Sequence, residues 1–203
     1  MMVAGAFAAL VGLAFVSWVA SNRRDQRVLR APITTASIVM LGDSITEEGP
    51  WETAFADLPI ANRGYSGYTT AQLVDVAREV AAEQPRAVYV LTGTNDIRDG
   101  HPPSWTIRHL AEILDEFAAS APRTDVVLQT ILPRADRNAD VDIANVAIVG
   151  LAEQRGLAVL DLHAVFDNGR GALRAEETRD GLHLNDAGNE RWSDVLIEEF
   201  RSS

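Results

Sequence analysis

The 203-residue chain contains no cysteine and no lysine. Without cysteine there can be no disulfide, no thiol nucleophile and no thiolate metal site. All positive charge other than histidine comes from arginine, and there is little of it: the formal net charge is −11. Such a surface repels phosphate backbones, which argues against a nucleic-acid partner. Also missing are a P-loop, a GxGxxG fingerprint, internal repeats and low-complexity stretches. No motif therefore calls for a nucleotide. Hydrophobic residues at 47% and charged residues at 23% are ordinary for a globular protein. The length suffices for one domain with its own core plus an appendage.

Charge is absent altogether from Met1 to Ala20. Twenty such residues in a helix would cross a hydrocarbon core of about 30 Å. No arginine precedes the run, so the reading is a retained membrane anchor over residues 1–21, with a cleaved signal peptide and secretion as the alternative. Trp18 suits an interfacial position, and Arg23, Arg24, Arg27 and Arg30 follow it. The positive-inside rule alone would leave the remainder on the cytoplasmic side. The polar residues 22–36 read as a linker to a domain spanning 37–203.

From Ser37 onward, apolar strand patterns alternate with helical ones. Strands are expected at Ile38–Leu41, Leu58–Ala61, Ala87–Leu91, Val126–Ile131 and Leu157–Leu160. A helix opens at Thr69, with Gln72 completing a capping box and Leu73, Val76, Ala77, Val80 and Ala81 on its inner face. Ser104 is expected to cap a second helix facing inward through Ile107, Leu110, Leu114 and Phe117. A third, from about Ala139 to Arg155, should bury Ile143, Ala147 and Leu151 and close at Gly156. A last helix from Asp186 to about Phe200 should bury Trp192, Val195, Leu196 and Phe200. This alternation predicts an α/β fold: a doubly wound, parallel five-stranded sheet in three α/β/α layers, flavodoxin-like in order.

Ligands of such sheets bind beyond the carboxyl ends of the strands. There the first strand runs into Gly42-Asp43-Ser44. Ser44 is a candidate nucleophile, although Gly-Asp-Ser is also ordinary turn chemistry. A serine hydroxyl needs a base. His109 lies within a helix beside its apolar face, and His101 follows the third-strand loop. His163 has Asp161 two residues before it. His183 has Asp180 three residues before it in a glycine-containing turn, a spacing that can fold the carboxylate onto Nδ1. An acyl-transfer site also needs donors for an oxyanion. The backbone N–H of Ser44, the N–H of Gly64 in Asn62-Arg-Gly64 and the side chain of Asn95 in Gly93-Thr-Asn95-Asp96 stand at successive strand ends.

Gly42-Asp-Ser44-Ile45, Asn62-Arg-Gly64-Tyr-Ser-Gly67, Gly93-Thr-Asn95-Asp96 and Asp180-Gly-Leu-His183, in that order, resemble the sequence blocks of the SGNH subgroup of GDSL-type esterases and lipases. The resemblance covers about Ser37 to Ser203. It implies Ser44 as nucleophile, His183 as base, Asp180 as its orienter, and the Ser44 amide, the Gly64 amide and the Asn95 side chain as oxyanion hole. Ile45 stands where the leucine of the short family name would be. The stretch Gly64 to Thr70 looks most like acetylhydrolase-type members. The implied activity is cleavage of a small-molecule, glycan or lipid ester, with short acyl groups favoured and no metal or organic cofactor needed. Close alternatives are a membrane-tethered polysaccharide O-acyltransferase and a lysophospholipase or thioesterase. A non-catalytic binding module of the same fold would not need both Ser44 and His183.

Overall fold

The computed structural model describes residues 30–202. The anchor or signal segment expected at residues 1–21 lies outside them, as does most of the expected linker. Among the described residues no helix is long and apolar enough to cross a membrane.

The domain is built on five parallel strands: β1 (Ile38–Gly42), β2 (Ile60–Gly64), β3 (Ala87–Leu91), β4 (Asp125–Gln129) and β5 (Ala158–Leu160). Their spatial order is β2-β1-β3-β4-β5, the expected doubly wound arrangement. β1 and β3 are buried along their whole length. They lie inside the sheet with layers on both faces, which is why they read as unbroken apolar runs.

The period-2 alternation of a strand divides the core in two. Val39, Leu41, Val88, Val90 and Leu128 pack with α3 (Thr70–Ala82), α5 (Pro103–Ser120) and α6 (Asn138–Arg155). Ile33 packs on this same cluster. Ile38, Met40, Tyr89 and Val127 face the other way, against Trp51 of α2 (Trp51–Ala54), Phe166 of α7 (Leu162–Phe166), and Trp192 and Leu196 of α8 (Asp186–Ser202). The fold is thus three-layered. Two further short helices, α1 (Ser44–Glu47) and α4 (Thr94–Arg98), stand directly after β1 and β3.

On the second face Trp51 and Trp192 meet edge to face, with ring centroids 4.6 Å apart at 88°. Such a contact adds about 0.5–1.5 kcal/mol beyond area burial. Both indole N–H groups are satisfied: Trp51 donates to the Thr46 carbonyl at 2.7 Å and Trp192 to Gln129 Oε1 at 3.0 Å. α1 and α8 are thereby tied to one core, which matters because the candidate residues adjoin these two helices.

The α3 capping box forms, Gln72 Oε1 accepting the Thr69 N–H at 3.0 Å. Gly156 ends α6 at φ 67°. Three expectations need correction. β2 spans Ile60–Gly64, not Leu58–Ala61, because its register is fixed by pairing Ile38 with Ile60 and Gly42 with Gly64, leaving Leu58 39% exposed in the preceding turn and Asn62 to Gly64 inside the strand. α5 starts at Pro103 after Pro102, not at a Ser104 cap, since a first-turn proline lacks only an N–H that has no helical partner anyway. On α6 the buried face is Val141, Ala144, Ile148, Leu151 and Ala152, whereas Ile143 is 57% exposed. That helix carries apolar residues all round, so periodicity alone does not set its phase.

Candidate active site

β1 ends at Gly42, where a Cβ would stand 2.3 Å from the Leu91 carbonyl and 2.2 Å from Thr46 Oγ1. Only glycine lets the chain turn so tightly between β3 and α1. Asp43 then caps α1, its Oδ1 accepting the Ile45 N–H at 3.0 Å. This places Ser44 in the first turn, where backbone N–H groups have no helical acceptor. The N–H of Ser44 is one of those groups.

Ser44 Oγ lies 3.0 Å from His183 Nε2. His183 Nδ1 lies 2.7 Å from Asp180 Oδ2. A carboxylate can only accept, so Nδ1 carries the proton and Nε2 is left to accept from the serine hydroxyl. Asp180 Oδ1 in turn accepts the Leu182 and His183 N–H groups at 3.0 and 2.7 Å. Partial desolvation pushes the Asp180 carboxyl upward, but the His183 N–H, the His183 ring and the Leu182 N–H outweigh it and bring it down to about 2. It is a carboxylate at any ordinary pH. The turn that makes this possible has Gly181 at φ 85° and is clasped by Thr178, whose Oγ1 donates to the His183 carbonyl at 2.7 Å.

The expected oxyanion donors flank Ser44 because β2 and β3 flank β1. Gly64 pairs with Gly42 in register. Its N–H donates to Asn62 Oδ1 at 2.9 Å, and Asn62 Nδ2 donates to the Glu47 carbonyl at 2.9 Å. Glycine is needed here for a reason other than approach to a ligand: a Cβ would stand 2.0 Å from the Glu47 backbone nitrogen. Asn95, in α4, is buried. Its Nδ2 donates to the Tyr68 carbonyl at 2.9 Å, and its Oδ1 accepts from Arg98 at 2.7 Å. The second Nδ2 hydrogen remains for another acceptor.

The other histidines are engaged elsewhere. His163 Nε2 meets Asn138 Oδ1 at 3.3 Å and Asp142 Oδ1 at 3.4 Å. Asp161 does not orient it; it caps α7 through the Ala164 N–H at 3.1 Å and accepts from Thr130 Oγ1 at 2.8 Å. His109 Nδ1–H donates to the Trp105 carbonyl at 2.9 Å, and His101 stacks on Trp105 at 4.3 Å.

Sequence reading alone missed several supporting residues. Arg98 fixes the Asn95 amide and Asn62 holds the Gly64 N–H. Asp96, wholly buried, accepts from the Thr70 N–H and Oγ1 at 3.0 and 2.6 Å, joining α4 to α3. Asp43 was legible as turn chemistry, but its burial was not. That burial pushes its carboxyl up to about 7, against the pull of the Ile45 N–H and of His183. Among the described residues no cluster of three or more acidic or histidine side chains could hold a metal ion.

Comparison with known proteins bears on the family and the fold. In solved structures, a Streptococcus pneumonia protein proposed to be a platelet activating factor is 26% identical, with a TM-score of 0.78, over 94% of this chain and 98% of that one. A GDSL-like lipase from Bacteroides thetaiotaomicron is 21% identical, with a TM-score of 0.74, over 89% and 95%. An acetyl xylan esterase is 20% identical, with a TM-score of 0.70, over 80% and 98%. At such identities the last two speak for the fold. No curated protein matches. The model of the GDSL-like lipase/acylhydrolase family matches residues 40–191, most of the chain, and this protein therefore belongs to that family of esterases.

Proposed function

We propose that the protein hydrolyses short-chain, acetyl-type esters of a carbohydrate or lipid through a Ser44 acyl-enzyme. The observation that carries this reading is the unbroken line Ser44 Oγ, His183 Nε2, His183 Nδ1, Asp180 Oδ2, with contacts of 3.0 and 2.7 Å at its two ends. His183 takes the Ser44 proton as Oγ attacks the ester carbonyl. The Asp180 carboxylate stabilises the imidazolium and holds its tautomer. The tetrahedral oxyanion receives the Ser44 N–H, the second Nδ2 hydrogen of Asn95 and the Gly64 N–H, the last shared with Asn62. His183 passes its proton to the leaving alcohol. Water then enters, loses a proton to His183 and bonds to the acyl carbon, and the acyl–Oγ bond breaks as His183 returns the proton to Oγ.

Preference for short acyl groups is supported by the run Tyr65-Ser-Gly-Tyr-Thr-Thr70 after Gly64, and by the names of two similar structures, an acetyl esterase and an acetyl xylan esterase. Rates on nitrophenyl esters of rising chain length test it. Acetate or butyrate should be fastest, and a maximum at octanoate or beyond would overturn the short-chain assignment. Ser44→Ala should lose about 10⁴-fold or more in kcat with the fold intact. Activity within tenfold of wild type would overturn the mechanism. We further propose, from the sequence alone, that residues 1–21 hold the protein at a membrane. Extraction of the full chain should need detergent, and a mature N-terminus at Asn22 would overturn this.

A further inference from the structure

Ser44 and His183 are 139 residues apart in sequence and meet through one hydrogen bond. The Asp180–His183 turn is well braced internally: the Gly181 N–H donates to Thr178 Oγ1 at 2.9 Å, and Thr178 pairs with Leu184 in an antiparallel bridge. Those bonds make the turn one unit. Its place against α1 is set first by the apolar core that holds Ile45 together with Leu182, Leu184 and Trp192.

An exposed polar contact adds to that packing at the edge of the site. The Arg179 guanidinium forms an ion pair with the Glu48 carboxylate. Glu48 is the C-cap of α1, and its N–H donates to the carbonyl of Ser44 at 3.0 Å. The N–H of Arg179 donates to the carbonyl of His183 at 3.2 Å. Each partner is therefore bonded through its backbone to one of the two reacting residues. The ion pair closes a ring whose opposite side is the Ser44–His183 hydrogen bond. The same guanidinium passes 4.0 Å from Asp180 Oδ2, so one arginine flanks both the clasp and the carboxylate that orients the base.

We infer that Arg179 and Glu48 are positioning residues, a latch that sets the distance between Ser44 and His183. This rests on the esterase reading of those two residues. Their side chains are 50% and 34% exposed, and an exposed pair contributes little to global stability. Its effect on the rate is larger, because a displacement of about 1 Å between reacting groups costs up to 10²-fold. Neither side chain exchanges a proton with substrate.

The test compares Arg179→Gln, Glu48→Gln, the double variant, and the charge exchange Arg179→Glu with Glu48→Arg. Each is assayed on nitrophenyl acetate, with thermal unfolding measured alongside and Ser44→Ala as the reference for lost chemistry. Each single change should lower kcat about 5- to 20-fold with KM within about twofold, the pattern of lost transition-state alignment. The double variant should be no slower than the slower single, and the exchange should return kcat to within about threefold of wild type. Raising salt should lower kcat of the wild type but not of the double variant, since salt screens an exposed pair. Single variants at wild-type kcat, effects that multiply in the double variant, or an exchange that recovers nothing would each overturn the latch. Should Ser44→Ala itself remain active, the assignment of the nucleophile fails, a separate outcome from failure of the latch.

Discussion

Arg98 Nη1 donates to Asn95 Oδ1 at 2.7 Å, and this contact decides which way the Asn95 amide faces. With Oδ1 occupied by a cation and one Nδ2 hydrogen held by the Tyr68 carbonyl, the amide cannot flip without losing both bonds. Asn95→Ala should lower kcat by about 10²–10³ with little change in KM, because an oxyanion donor acts chiefly in the transition state. Arg98→Ala should lower kcat less, leaving the donor present but loosely aimed. Steady-state kinetics on one ester checks both. A rise in KM at constant kcat would make Asn95 a ground-state contact instead.

His183, and not His163, is expected to be the general base. His183→Ala should fall nearly to the level of Ser44→Ala, while His163→Ala, whose ring meets Asn138 and Asp142, should keep most of the activity. Asp180→Asn should be strongly impaired, since an amide in place of the acceptor disturbs the tautomer that leaves Nε2 free. The reverse ranking of the two histidine variants would move the base to the loop after β5.

The buried Asp43 gives the fold a pH dependence. Its carboxyl is raised from 3.8 to about 7, chiefly by burial. In that interval the folded protein keeps a proton that the unfolded chain releases. The associated stability is complete below pH 3.8 and is lost as pH rises through about 7. Asp43→Asn retains an N-cap oxygen for the Ile45 N–H and removes the titration. The Tm of this variant relative to wild type should climb between pH 4 and 8, and a difference that stays flat across that range would contradict the argument.

Gly64 and Gly181 should respond to alanine for different reasons. At Gly64 the added methyl meets the Glu47 and Thr46 backbone of α1 at 2.0–2.6 Å. No side chain can move aside, so the cost should exceed the usual 1–3 kcal/mol of overpacking, and Ser44 should be displaced as well. At Gly181 nothing lies within 4 Å, but φ is 85°. Only the backbone strain of about 1–2 kcal/mol applies. Thermal unfolding should show a large drop for Gly64→Ala and a small one for Gly181→Ala.

Much of the site was legible before any tertiary information because its chemistry sits at element ends. A buried parallel strand reads as an apolar run, and the run ending at Leu41 points straight at Gly42-Asp-Ser44. The Asp180–His183 pair closes within three residues, so spacing alone anticipates it. The Gly64 amide was harder to read. It was expected in the loop after a strand ending at Ala61, whereas it is the last residue of β2, and its bond to Asn62 Oδ1 depends on how Asn62 bridges to the Glu47 carbonyl of another segment.

What the sequence determined by itself is what local physics governs: the order of strands and helices, the capping box at Thr69, the stop at Gly156, and the Asp180–His183 turn. The last three are settled by contacts across a few residues, and the order of strands and helices by the apolar period of each stretch. The tertiary structure decided what depends on neighbours distant in the chain. It set the phase of α6, where Ile143 is as apolar as Val141 and only the sheet beneath selects one face. It gave Asp161 to a helix cap and His163 to Asn138. It joined Arg179 to Glu48 across 131 residues, and it buried Asp43 deeply enough to raise its carboxyl. Spacing cannot encode these outcomes, because the energy of a charged or apolar side chain is set by what the completed fold packs against it.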